Sequence, residues 1–315
     1  RNTSTPYWKT VSIGFTNKLK EGVPMNFKDL NTVALDKDLP EAQKAEWNAI
    51  YASYRSRSIL TGTVIGMDMV PMAAGEGQTD DSERVIINCL VIIAHRVKVL
   101  IPEQEMWFDD ESKRPAHVLR SMVGANLDYV ITGIDRLGEC CLASRRTAME
   151  VRRRQYTAKK PRKGDVVDVR VLAAGRTRLL VEYMGYDVSM VQRDLSYAML
   201  PDLRRQYHPG ATLKAKYNGY SADSKTPLLS VKESEPHPFI GADIRHPAGC
   251  RRGSVITGKY KGGVFCKLEN NLDVLCTYAQ NQFDGDFHID DQVIIAIVKH
   301  DYGRNMIYGK IVAKW

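Results

Sequence analysis

The residues best placed to do chemistry in this sequence are aromatic and cationic side chains, not acid–base groups. In Tyr260-Lys261-Gly262-Gly263-Val264-Phe265-Cys266-Lys267-Leu268, an aromatic and a cation precede two glycines and a short alternating run. If a strand runs from Gly263 to Leu268, then Val264, Cys266 and Leu268 face a core while Phe265 and Lys267 face out, with Tyr260 and Lys261 on the approach. Rings on an open β-surface stack on nucleobases, at about 1–3 kcal/mol per base, while nearby cations follow the phosphates. The competing reading packs Phe265 under a neighbouring domain. A second concentration of charge is the stretch from Arg152 to Lys163, with seven cations, no carboxylate and one aromatic in twelve residues. It reads either as a solvated linker or as a phosphate-contacting segment, and Arg152, Arg153, Arg154, Lys159 and Lys160 are its candidates. Arg96 and Lys98 alternate with Val97 and Val99, and Asp168 and Arg170 alternate with Val167, Val169 and Val171. Lys214 and Lys216 alternate likewise with Leu213, Ala215 and Tyr217. A solvated face and a nucleic-acid face explain these three strands equally well.

Motifs for catalysis or metal binding are missing. Gly75-Glu76-Gly77 lacks the Gly-Lys-Ser/Thr of a phosphate loop and reads as a hairpin tip. The stretch Asp284–Asp291 lacks the periodic oxygen ligands and terminal Glu of a calcium loop, and reads as a solvated turn leading into a strand. The seven histidines form no HExxH pair and flank no nucleophile motif. The six cysteines lack paired zinc-site spacing and sit mostly in apolar runs, which points to reduced, buried thiols in a cytoplasmic protein. The expectation is a non-enzymatic protein with no cofactor and no bound metal.

The whole-chain numbers agree with that direction. Across 315 residues, 43% are hydrophobic and 26% charged, a globular composition long enough for two or three domains. The formal charge of +8 favours polyanionic partners. No apolar run approaches the roughly 20 residues of a membrane helix, and no apolar signal segment follows Arg1, so neither a membrane partner nor secretion is expected.

The elements that must position these groups are mostly strands. Residues 1–57 read as an extended arm followed by a helix, in which Trp47, Ile50, Tyr51 and Tyr54 recur at three and four residues and pack on the adjacent domain. From Ile59 onward, short alternating runs repeat with a long period. One unit opens at Gly62-Thr63-Val64 and closes near Leu142-Ala143-Ser144-Arg145-Arg146. A second runs from Lys163-Gly164-Asp165-Val166 to Leu229-Ser230-Val231, and a third from Gly253-Ser254-Val255 to Gly309-Lys310-Ile311-Val312. Each carries a similar late run-in to a strand: Val123-Gly124-Ala125, Pro209-Gly210-Ala211 and Ile289-Asp290-Asp291. The expected organisation is 1–57 arm and helix, 58–150 first barrel, 151–162 basic linker, 163–235 second barrel and 236–315 third barrel.

At these residues the sequence resembles the RNA-binding domain named after ribosomal protein S-one, an oligonucleotide/oligosaccharide-binding (OB) barrel of five strands. The matches are Gly62-Thr63-Val64, Val99-Leu100-Ile101-Pro102 and Leu142-Ala143-Ser144-Arg145 in the first unit, and Gly253-Ser254-Val255 with Gly262-Gly263-Val264-Phe265 in the third. The second unit is more divergent, and Leu180 stands where the family places its aromatic. There Arg176 and Arg178 are the candidate contacts, with Tyr183 and Tyr186 read as partly buried core. The first unit has no clear glycine-aromatic second strand. The resemblance implies a mainly β chain of three tandem OB barrels that binds single-stranded RNA, with single-stranded DNA as a second ligand, in the manner of a translation or ribosome-associated adaptor. The alternatives are a structural, protein-binding component of a large assembly, virus-related or RNA-processing, and the RNA-binding subunit of a nuclease or transcription complex.

Overall fold

The computed structural model describes residues 40–73, 84–94, 97–108, 114, 116–136, 138–198, 200–261 and 263–315. The N-terminal arm before residue 40, the tip around Gly75 and the candidate Arg96 lie outside the described residues. The chain divides into two compact units, 1–159 and 160–315.

The first unit opens with α1 (Glu41–Ser56), whose apolar stripe buries Trp47, Ile50 and Tyr51. Ser53 on the same face is fully buried and accepts a hydrogen bond from the Ile131 N–H at 3.1 Å, so the helix packs on a strand as its periodicity requires. Five strands follow: β1 (Leu60–Ala73), β2 (Arg84–Ala94), β3 (Val97–Pro102), β4 (Asn126–Asp135) and β5 (Cys140–Ser144). They close into a barrel in the order β1-β2-β3-β5-β4, with β4 returning to β1 and β3 parallel to β5. The short helix α2 (Ala116–Arg120) precedes β4. The closing strand stops at Ser144, two residues short of its sequence-based end. The Ser144 side chain accepts the Thr147 N–H at 3.0 Å and so caps a new helix, α3 (Arg145–Ala158). The segment expected as a basic linker over 151–162 is therefore helical through Ala158. A capping serine followed by residues of good helix propensity outweighs the charge repulsion of the arginine run.

The second unit holds two sheets. β6 (Val166–Ala174), β7 (Arg178–Tyr183), β8 (Tyr186–Val191), β9 (Thr212–Ser221) and β10 (Thr226–Ser230) form a five-stranded sheet in the order β10-β9-β6-β7-β8. This is the cyclic order of the first barrel cut at one seam. Among the described residues the parallel pairing that would join β8 to β10 is not made, so this copy is an open sheet where a barrel was expected. The helix α4 (Gln192–Leu195) follows β8, and the backbone carbonyl of Asp194 accepts the Val231 N–H just beyond β10 at 2.8 Å, tying the two edges together without strand pairing. After α5 (Ala242–Arg245), the strands β11 (Arg251–Tyr260), β12 (Gly263–Lys267), β13 (Asp273–Thr277), β14 (Gln292–Asp301) and β15 (Met306–Lys314) close the last barrel as β11-β12-β13-β15-β14. Its core is the inward half of the alternation, including Val264, Cys266, Val274, Cys276, Ile295 and Ile307.

The internal repeat survives at the level of single hydrogen bonds. The first strand of each copy carries a bulge, between Val64 and Gly66, Val171 and Ala173, and Ile256 and Gly258. In each, the first bulge residue exchanges two backbone bonds with the late run-in: Val64 with Gly124 and Ala125, Val171 with Gly210 and Ala211, Ile256 with Asp290 and Asp291. The turn there needs positive φ, which Gly124 (90°) and Gly210 (87°) supply freely and Asp290 (74°) supplies as a residue type tolerant of that region. A bulge strengthens local twist and bends the strand, which is what closing a five-stranded sheet demands.

Candidate nucleic-acid interface

The matched registers define one equivalent outward row in each copy. In the third barrel it runs Gly258, Phe265, Leu275, Tyr308 and Lys299 across β11, β12, β13, β15 and β14. Phe265, Leu275 and Tyr308 are half-buried and Lys299 is exposed. In the first barrel the same positions are Gly66, Val91, Leu100 and Leu142. All three aliphatic side chains are buried there, in a cluster with Cys89 separate from the inner core. In the middle sheet the row is Ala173, Leu180 and Ser189, and Leu180 is buried. Two residues beyond Leu180, at the counterpart of Lys267, stands Glu182, which is buried and ion-paired to Arg170. Among the described residues, this row displays aromatic rings and cations only in the third barrel.

The detailed geometry there follows from backbone requirements. Gly258, directly opposite Phe265, has no side chain, so the diagonal neighbour Tyr260 reaches across and stacks on the Phe265 ring, centroids 5.3 Å apart and planes 28° from parallel. Tyr260 remains 47% exposed. Gly263 begins β12 at φ 149°, and a Cβ there would lie 2.6 Å from the Cys276 carbonyl oxygen. Only glycine lets β12 approach β13 this closely. Val264 and Cys266 are fully buried and Phe265 and Lys267 face out, as the alternation dictates. Lys261 is exposed at the turn. In register Lys267 lies opposite Asp273.

A groove of about 540 Å³ opens beside the stacked pair, lined by Lys259, Tyr260, Lys261, Gly263, Thr277, Tyr278 and Asp284. Its floor is braced. The Lys259 ammonium donates to the carbonyls of Asp284 (2.6 Å) and Phe287 (2.7 Å) and pairs with the Asp284 carboxylate at 3.0 Å. The Tyr278 hydroxyl donates to the other Asp284 oxygen. That bond, with the Lys259 charge, holds the Asp284 carboxyl below its ordinary range. Desolvation, followed by the adjacent carboxylate, pushes the Tyr278 phenol up.

The other sequence-based candidates fall in several places. Arg152 is committed to the first unit, its Nε 2.7 Å from the buried Asp128 carboxylate, and Arg153 lies over the Phe108 ring at 4.1 Å. Arg154 and Lys159 are exposed at the end of α3. Lys160 is exposed in the second unit, 5.6 Å from the Tyr220 ring. Arg176 and Arg178 are exposed at the β6–β7 turn. Lys98 pairs with Asp68 at 2.7 Å on the first barrel. Tyr186 is buried and Tyr183 half-buried, as expected for core tyrosines. Sequence reasoning misses Tyr308, Lys299, Lys310, Thr277, Tyr278 and Asp284. Tyr308 and Lys310 follow from extending the outward alternation to β15; Lys299 faces out only because a bulge between Ile297 and Lys299 breaks the alternation of β14, and Asp284 sits in a loop whose placement no periodicity encodes.

All six cysteines are free thiols, four of them buried. Burial raises the thiols of Cys89 and Cys141 to about 12. Among the described residues, no group of His, Cys, Asp or Glu side chains is arranged to hold a metal ion, and no helix is long and apolar enough to cross a membrane.

No protein-family model and no curated protein sequence matches this chain. Among solved structures, a multidomain protein with nucleic acid binding domains from Streptococcus pneumoniae TIGR4 aligns over 81% of this chain and 73% of its own, at 11% identity and a TM-score of 0.20. A likeness that distant leaves the functional reading to the chain's own residues.

Proposed function

We propose that this protein is a non-catalytic binder of single-stranded nucleic acid, RNA in the first instance, and that the outer face of its third barrel is the binding surface. The observation that carries this is the solvent-facing Tyr260–Phe265 stack, with Tyr308 in the same row as Phe265 and with Lys261, Lys267, Lys299 and Lys310 around it. Rings supply stacking platforms for any base, and flexible ammonium groups follow a backbone whose path is not fixed. Duplex ligands bury their base faces and gain nothing from the rings. The resemblance to S-one-type domains includes this segment, at Gly262-Gly263-Val264-Phe265, and supports RNA over DNA. It also supports a translation or ribosome-associated adaptor role.

The test is a fluorescence titration of the full chain with labelled single-stranded RNA, single-stranded DNA and duplex at two salt concentrations. Single strands should bind more tightly than duplex. Replacing Lys261, Lys299 and Lys310 together by Gln should reduce the log–log salt slope by roughly 0.7 for each phosphate no longer neutralised. Equal affinity for duplex and single strand would refute the stacking surface.

The first unit favours a different role. Its equivalent row is aliphatic and covered, while Ile65, Met69, Ile86 and Ile93 are each more than half exposed on β1 and β2. Such a surface suits protein contact. Ile65→Asp with Ile93→Asp should leave RNA affinity unchanged, and weaker RNA binding would assign this face to RNA instead.

A further inference from the structure

The groove beside the Tyr260–Phe265 stack has a hydrogen-bonding character at odds with the basic surface around it. Two of its polar groups have their donors committed. The three N–H bonds of Lys259 have three acceptors within 3.0 Å, all on the segment 284–287, and the Tyr278 hydroxyl proton is given to Asp284. Neither is left to receive a phosphate. What remains facing the groove is acceptor-rich: the Asp284 carboxylate, with about four lone-pair directions of which Lys259 and Tyr278 take one each, and the exposed Thr277 hydroxyl. Asp284 is exposed, but its side chain is held at both oxygens, by Lys259 and by Tyr278. Its backbone is pinned by Lys259, and the Phe287 N–H donates back to its carbonyl at 3.3 Å.

A fixed carboxylate repels the phosphodiester and accepts hydrogen bonds from amino groups. Next to a ring on which a base stacks, it selects by base edge. At about 540 Å³ the groove lies inside the roughly 300–1,000 Å³ range of small-ligand sites, ample for one nucleobase and too open to demand a single shape. Resting on the single-strand reading above, we infer that this groove takes one base stacked on Tyr260 and that Asp284 favours bases carrying an exocyclic amino group, cytosine first, over uracil. A carboxylate accepting from cytosine N4 is the pairing that chemistry permits, whereas uracil turns a carbonyl oxygen toward the same acceptor. Lys261 at the rim meets the adjoining phosphate, so the charges of the site divide the ligand into base and backbone.

The experiment compares full-length protein binding to single-stranded oligocytidylate and oligouridylate of equal length, at neutral pH and fixed salt. The expected result is about fivefold or greater preference for oligocytidylate, the low end for one base-edge contact in an open site. Asp284→Asn should erase most of that preference, because the amide presents a donor as well as an acceptor. Since Asp284 also braces its loop, a second arm leaves the protein intact: an oligomer containing N4,N4-dimethylcytidine, which lacks the donor, should bind like oligouridylate. Equal binding of the two natural oligomers, with affinity still reduced in Tyr260→Ala, overturns the base-edge inference and leaves the single-strand reading standing. Dimethylcytidine binding as tightly as cytidine overturns it as well. Failure to bind either oligomer sinks both.

Discussion

Replacing Tyr260 by Ala removes one stacking platform without touching a cation or the barrel core. Its ring is 47% exposed, and one face already lies against Phe265, so a base has the other face available. Alanine substitutions of stacking aromatics cost about 1–3 kcal/mol per base, and a ring with one face engaged belongs in the lower half, at about 1–1.5 kcal/mol. With about 1.4 kcal/mol per factor of ten, Kd for a single-stranded RNA should rise roughly five- to twelvefold. The assay is fluorescence anisotropy with a labelled oligonucleotide at several salt concentrations. The salt slope should be unchanged, because every phosphate keeps its cation. Tyr260→Phe should retain nearly all the affinity, since the ring stays. A thermal melt controls for folding, and an exposed ring should shift it little. A Kd within about twofold of the wild-type value, in a variant that melts normally, would refute the claim that this stack is the platform.

Three further outcomes follow from the same geometry. Arg152→Gln takes the guanidinium away from the buried Asp128 carboxylate, which also accepts from the Thr61 hydroxyl at 2.7 Å, and should destabilise the chain by about 1.5–3 kcal/mol in chemical denaturation while RNA affinity holds. An intact stability with weakened RNA binding would return Arg152 to the ligand surface. Gly263→Ala drives a Cβ to 2.6 Å from the Cys276 carbonyl and should cost about 1–3 kcal/mol, read as a lower Tm of the second unit. An unchanged Tm would show that β12 can retreat from β13. His237 and His246 are pushed below their ordinary range, first by burial and then by Lys232 near the one and by Arg252 and Arg245 near the other. The folded state therefore favours their neutral forms, so their stability contribution is complete above about pH 6.5 and is lost as pH falls from there toward the depressed values. Tm should drop between about pH 7.5 and 5.5, and His246→Gln should shrink the drop; a Tm that rises on acidification contradicts the assignment.

Much of the third barrel is legible in the sequence because a strand buried on one side writes its orientation every second residue. Val264 and Cys266 inward, Phe265 and Lys267 outward, need no knowledge of the partner strands. The repeated run-ins at Gly124, Gly210 and Asp290 are legible too, since a positive-φ turn restricts residue type. Arg152 and Arg153 pass for linker cations in the sequence because charge runs carry no signal of a partner carboxylate or ring distant along the chain. The capping role of Ser144 is hidden inside what looks like strand continuation. Leu180 marks the divergence of the middle copy, but the missing pairing of β8 with β10 is not readable, because strand pairing across a seam depends on edge geometry that local alternation does not report.

What the amino-acid order determined alone was which residues could share a face, since side-chain direction alternates along any extended chain. Tertiary structure decided which of three similar faces stayed available. It set Tyr260 over Phe265 across a glycine, placed Tyr308 two strands away in the same row, and brought Asp284 from a loop into the groove. It also buried the aliphatic side chains of the matching row in the first copy, and Ala173 and Leu180 in the middle one. Exposure depends on what packs against a face across the fold, and period-two alternation reports only which side of a strand a residue takes.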